Sequence, residues 1–213
     1  MFCLRAQALR TSQGTLYELS TDGSNRHTKI AEVQGLDGVK NLFVNASATM
    51  IGYGNRLLPA GVQEKKYPGS GHIHVDDEQE LLMIHDVSSG ELIRQLNLSD
   101  EFHLCFIPYM GWLPAKDLIY FQVVQNPHTP RSCDEKAGHY TMNQDGSARK
   151  KFWPFSTTYP VEILGGLADG RILFRSLYPT PKLVLFNLST QAREELPLHN
   201  LGYFFRVSGT GKY

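Results

Sequence analysis

A five-residue phrase constrains this chain more than any other feature. It occurs twice, as Asp22-Gly23-Ser24-Asn25-Arg26 and as Asp145-Gly146-Ser147-Ala148-Arg149, each time after a short run rich in apolar residues. Asp-Gly tolerates the positive φ of a tight turn, so each copy marks a strand that reverses on itself. Residues 82–94, around Ser89-Gly90, and 183–193, around Ser189-Thr190-Gln191, have the same layout without the full phrase. Four such hairpins form an internal repeat, and a unit too small to bury its own apolar faces must stack on its neighbours.

A second pair of strands belongs to each unit. Residues 161–174 run apolar to Gly165-Gly166, turn at Asp169-Gly170 and return as Arg171-Ile172-Leu173-Phe174; residues 43–53 and 106–124 have the same form. Two hairpins make four strands, and four-stranded antiparallel sheets repeated about an axis make a β-propeller. Helical periodicity is nearly absent. Residues 76–83 are the best helical candidate, short and running directly into a strand-like stretch. The expectation is an all-β chain, one repeat domain over residues 1–213, of about four four-stranded antiparallel blades.

The Asp-Gly-Ser-x-Arg hairpins, together with Val207-Ser208-Gly209-Thr210-Gly211-Lys212-Tyr213, resemble the TolB-like, WD40-like family of propeller repeats. The last stretch is similar to that family's Ser-Pro-Asp-Gly-Lys-Tyr turn, with Gly-Thr in place of Pro-Asp. The resemblance implies an architecture and leaves the activity open. Read circularly, residues 203–207 followed by Phe2-Cys3-Leu4-Arg5-Ala6 supply the hairpin that the first unit lacks. Two readings follow: a ring closed by pairing of the N- and C-terminal strands, which removes an exposed sheet edge, or a fragment of a larger propeller.

Composition narrows the function. Lys+Arg and Asp+Glu balance at 21 each, which argues against nucleic-acid binding, since phosphate recognition needs a basic face. No stretch approaches the roughly 20 apolar residues of a membrane span, and the first seven residues lack the apolar core of a signal peptide. Three widely spaced cysteines, Cys3, Cys105 and Cys133, form neither a metal cluster nor a disulfide framework. They read as free thiols of a reducing cytoplasm, or of a periplasmic protein if a leader has been removed.

The two longest insertions, residues 55–79 and 125–138, fall between second and third strands and so open on one face, where long loops carry function. The first contains His72-Ile73-His74 followed by Asp76-Asp77. On a strand this spacing puts both imidazoles on one side, the geometry of a divalent-metal ligand pair; a solvated polar strand accounts for it as well. The second holds His128, Arg131 and Cys133 in a stretch stiffened by Pro127 and Pro130. A Cys-His nucleophile and base is one reading, and a binding loop is the preferred one. Trp153, in Phe152-Trp153-Pro154-Phe155, offers a stacking platform or inter-blade packing. The candidate ligand-binding residues are thus His72, His74, His128, Arg131 and Trp153. No cofactor and no resident metal are assigned, and no phosphate loop or nucleophile elbow occurs. The preferred function is a non-catalytic module presenting its loop-rich face to a protein segment or a carbohydrate. The alternative is a propeller enzyme, a polysaccharide lyase or hydrolase with or without a metal, with its site in the two insertions.

Overall fold

Short apolar or alternating runs separated by turn residues decide the secondary structure. The computed structural model describes residues 2–6, 13–19, 26–34, 40–45, 47–57, 65–66, 73–74, 79–102, 105–125, 133, 135–154, 161–176 and 182–196. Strands β1 (Phe2–Ala6), β2 (Gln13–Leu19) and β3 (His27–Gln34) form the first sheet. Next come β4 (Lys40–Val44) and β5 (Met50–Leu57), then a small hairpin of β6 (Lys65–Lys66) and β7 (Ile73–His74). Strands β8 (Gln79–Asp86) and β9 (Leu92–Asn97) complete the second sheet, in the order β4-β5-β8-β9. The third sheet is β10 (Cys105–Leu113), β11 (Leu118–Gln125), β12 (Gly138–Met142) and β13 (Lys150–Pro154). The fourth is β14 (Val161–Gly166), β15 (Arg171–Ser176), β16 (Lys182–Asn187) and β17 (Arg193–Leu196). Every pairing is antiparallel, and each joins consecutive strands except that β5 pairs with β8 across the inserted β6–β7 hairpin.

The architecture is therefore all-β, built of four-stranded blades as the repeats require. The first sheet has three strands among the described residues, and residues 203–207, expected to pair with β1, lie outside them. Where the strongest helical pattern was read, β8 starts instead at Gln79; its alternating buried residues Leu82 and Ile84 belong to a sheet interior. The α-helix among the described residues, α1 (Ser99–Phe102), is a single turn between β9 and β10.

Each core cluster fills the seam between consecutive sheets. Ile51 and Tyr53 pack with Ile30 between the first and second. Leu82, Ile84, Ile107, Ile119, Phe121, Val123 and Met142 fill the second seam, with Phe102 from α1. Tyr120, Phe152, Ile163, Ile172, Phe174 and Phe186 fill the third. Alternate residues of β11 thus face opposite seams: Ile119, Phe121 and Val123 one way, Tyr120 the other. A strand buried on both faces reads as the continuous apolar run seen in the sequence, and each fully buried Phe or Leu contributes about 1.5–3 kcal/mol. Strand β10 packs on both β4 and β14, so the first strands of the sheets meet side by side. At Gly166 of β14 a Cβ would stand 2.9 Å from the carbonyl oxygen of Trp112, and only glycine permits that approach.

The turns carry the chemistry that marked them. The Asp86 carboxylate accepts hydrogen bonds from the backbone N–H groups of Ser88 and Ser89, at 2.9 and 2.8 Å, and the side chain of Asn187 caps Ser189 and Thr190 in the same way. In the Asp-Gly-Ser turn, Ser147 N–H donates to Asp145 at 2.9 Å and Gly146 has φ +83°. These bonds hold the Asp86 and Asp145 carboxyls below their ordinary pKa, the Ser88 and Ser147 side chains contributing most.

Candidate functional site

In an antiparallel meander the connections alternate between two ends. Residues 58–78, 126–137 and 177–181 join second to third strands at one end; the tight turns, including Pro114–Lys116, lie at the other. The long insertions thus share an end, as their position in the repeat requires. His74 is the last residue of β7, opposite Lys65 of β6. His72, His128 and Arg131 lie outside the described residues. Among the described residues no three His, Cys, Asp or Glu side chains converge as metal ligands.

Cys105 and Cys133 are bonded to each other, which overturns the reading of all three cysteines as free thiols. Cys105 opens β10, and Cys133 lies 28 residues on, in the connection between β11 and β12. Both are buried, at 7% and 1% exposure. The thiol that was offered as a nucleophile beside His128 is consumed by this bond.

The third seam carries buried polar atoms at its loop-bearing end. Gln122 of β11 and His139 of β12 are paired directly across the ladder, so their side chains share a face. Both are buried, at 2% and 1% exposure. The Gln122 amide donates from Nε2 to the carbonyl oxygen of Val161, 2.7 Å away on β14, and ties the two sheets together. Its Oε1, and Nδ1 of His139, have no hydrogen-bond partner among the described residues. A buried polar atom left unpaired costs about 1–3 kcal/mol. Burial also lowers the pKa of His139 to about 3, because the imidazolium would lose its hydration. The ring is therefore neutral at physiological pH.

A bulge aims two consecutive aromatic residues at this histidine. Trp153 pairs with His139 but Lys151 pairs with Tyr140, leaving Phe152 as the extra residue of β13. Side chains on a regular strand alternate, and a bulge breaks that alternation. Phe152 and Trp153 consequently both contact His139, at 6.0 and 5.6 Å between ring centres, and both stack on Phe186. Trp153 also meets Phe174 edge-on at 4.7 Å, and the guanidinium of Arg193 stands 4.4 Å from its ring centre. Trp153 is thus joined to His139, one of the two buried polar residues, and forms one wall of the seam. Gln122 and His139 themselves escape sequence reading. Their sole signal is a polar residue interrupting the apolar alternation of each strand.

At the opposite end a cleft of about 470 Å³ opens between the second and third sheets. Its rim is internally compensated: Gln144 donates to Asp117 at 2.7 Å, Lys116 to Ser189, and Asp145 accepts from Ser147.

No protein-family model and no curated protein matches the chain. Solved structures do. An oligogalacturonate lyase in complex with manganese superposes with a TM-score of 0.60 at 13% identity, over 92% of this chain and 51% of that one. The oligogalacturonate lyase of Vibrio parahaemolyticus gives 0.54 at 13% identity, over 85% and 47%. The acylaminoacyl peptidase of Pyrococcus horikoshii gives 0.55 at 11% identity, over 86% and 30%. The chain spans about half the length of these lyases. Likeness at such identities establishes the β-propeller fold and nothing of the chemistry.

Proposed function

We propose that this chain is a binding module of the TolB-like propeller kind, and that the loop-bearing end of its third seam takes a carbohydrate. One observation carries the reading: Gln122 Oε1 and His139 Nδ1 are buried, share one face of the ladder and lack partners. An acceptor and a neutral imidazole side by side are suited to a hydroxyl group, which donates one hydrogen bond and accepts another. Trp153 beside His139, stacked on Phe186 and capped by the Arg193 guanidinium, supplies an apolar aromatic wall against which a sugar ring packs. A protein segment engages the same end through the long connections in the same reading, with His128 and Arg131 as its contacts. The oligogalacturonate named for two similar structures makes a short uronate oligomer the first probe.

Calorimetric titration with trigalacturonate, a neutral hexose trimer and an unrelated peptide tests this. The expected result is saturable binding of a saccharide, weakened at least tenfold in Trp153→Ala. Failure of every saccharide at millimolar concentration would contradict it.

A metal-dependent lyase is the second reading, supported by the His72-Ile73-His74 spacing in the sequence and by the manganese of one similar structure. The described residues do not supply a ligand set for such an ion. Elemental analysis discriminates the two: one divalent ion per chain, lost in the His72→Ala/His74→Ala variant, favours the lyase.

A further inference from the structure

We propose that the Cys105–Cys133 bond is a permanent staple, made as the chain folds, which fixes the returning half of the connection between β11 and β12. Five hydrogen bonds place that half. The N–H groups of Lys136 and Ala137 close a turn on the carbonyl oxygen of Cys133, at 3.0 and 2.8 Å. The Tyr140 hydroxyl donates to the carbonyl oxygen of Lys136 at 2.6 Å. Lys136 Nζ donates to the carbonyl oxygen of Glu101 in α1, also at 2.6 Å, and Lys151 Nζ donates to that of Glu135 at 3.0 Å. These hydrogen bonds tie residues 133–137 to α1, β12 and β13. The disulfide alone adds a covalent tie to β10, the strand that packs between β4 and β14.

The placement of the sulfurs distinguishes a staple from a switch. Thiol–disulfide exchange needs a thiolate to reach one sulfur along the bond axis. With Cys133 at 1% and Cys105 at 7% exposure, within the second seam beside Val123, Phe121 and Tyr140, no reductant reaches the bond unless the seam opens. Formation is therefore coupled to folding. The two thiols lose their protons, one Sγ–Sγ bond forms, and the two electrons reduce an external disulfide, which leaves as two thiols. A bond so placed belongs to a chain that folds in an oxidising compartment, against the cytoplasmic reading of three free thiols. A bond spanning 28 residues restricts the unfolded chain enough to raise the melting temperature by on the order of 5–10 °C.

The test uses the full chain refolded in oxidised glutathione. Unfolded without reductant and treated with iodoacetamide, it is expected to take one label, on Cys3, and to yield a linked peptide pair containing Cys105 and Cys133. After reduction it takes three labels. Under native conditions the bond should resist dithiothreitol at least about tenfold longer than in denaturant. The reduced chain and Cys105→Ser/Cys133→Ser should melt several degrees lower, and the variant should ignore reductant. Three labels without reduction, a link involving Cys3, equally fast reduction in the native state, or an unchanged melting temperature would each overturn the proposal. Should the double variant fail to fold, the labelling and reduction of the unaltered chain still decide.

Discussion

The second and third seams are built from the same strands and filled to opposite ends. β11 and β12 contribute one face to each. Into the second they send Ile119, Phe121, Val123, Tyr140 and Met142, closed at the loop-bearing end by the disulfide. Into the third they send Tyr120 and then, toward the loops, Gln122 and His139. Phe121, Tyr140 and Phe102 illustrate the first solution: Phe121 stacks on Tyr140 at 5.4 Å, and Phe102 meets both edge-on, at 5.6 and 5.0 Å. That seam is apolar but for Trp112, whose Nε1 is likewise buried without a hydrogen-bond partner among the described residues. The other leaves two polar atoms unpaired where apolar side chains of similar volume would fit. Proteins accept such a cost mainly where a site requires it. The comparison thus separates a seam that holds the blades together from one that holds them together and keeps a place for a ligand.

The largest expected effect breaks the second seam. Phe121→Ala removes a fully buried ring from three-way aromatic packing and should cost about 3–5 kcal/mol. Thermal or urea unfolding checks it, and a loss below about 1 kcal/mol would mean that the seam repacks.

Acid should act through the third seam. Unfolded His139 binds a proton below its ordinary pKa of 6.5, while the folded residue stays neutral down to about 3. Protons therefore favour the unfolded chain. Stability is full above about pH 7 and falls below 6.5 by up to about 1.4 kcal/mol per pH unit. Between pH 6.5 and 4.5 this loss is distinct from that of Asp86, Asp145 and Asp169, whose pKa values are held below the ordinary 3.8. His139→Leu should flatten the profile in that window; an unchanged slope would assign it elsewhere.

A smaller effect sharpens the contrast. Tyr140→Phe keeps the ring in the second seam and deletes only the hydroxyl that reaches Lys136, so it should cost about 0.5–1.5 kcal/mol. Amide exchange at Lys136 and Ala137 should rise above that of the rest of the third sheet.

Local chemistry explains what could be read from the sequence. Asp145-Gly146 and Ser89-Gly90 fix their turns within a few residues, and β11 and β16 announce themselves by apolar runs, that of β11 interrupted at Gln122. Ile107 and Pro108 bulge together opposite Val123. The site was less legible because it depends on register. Gln122 and His139 are 17 residues apart in sequence, and only the ladder makes them neighbours. The bulge that turns Phe152 and Trp153 to the same side leaves no mark that composition reveals. Three cysteines allow three pairings, and spacing alone does not choose Cys105 with Cys133. His72, His128 and Arg131 belong to insertions whose conformation no local rule sets.

Gln122→Leu tests the account most directly, with stability and saccharide binding measured on the same sample. The substitution removes the unpartnered Oε1 and the bond to Val161, and fills the space with apolar volume. If the polar pair serves a ligand, the variant should unfold within about 1 kcal/mol of the parent and bind the saccharide at least tenfold more weakly. A variant that loses several kcal/mol while binding as tightly as the parent would contradict the account and reduce the role of Gln122 to its bond with Val161.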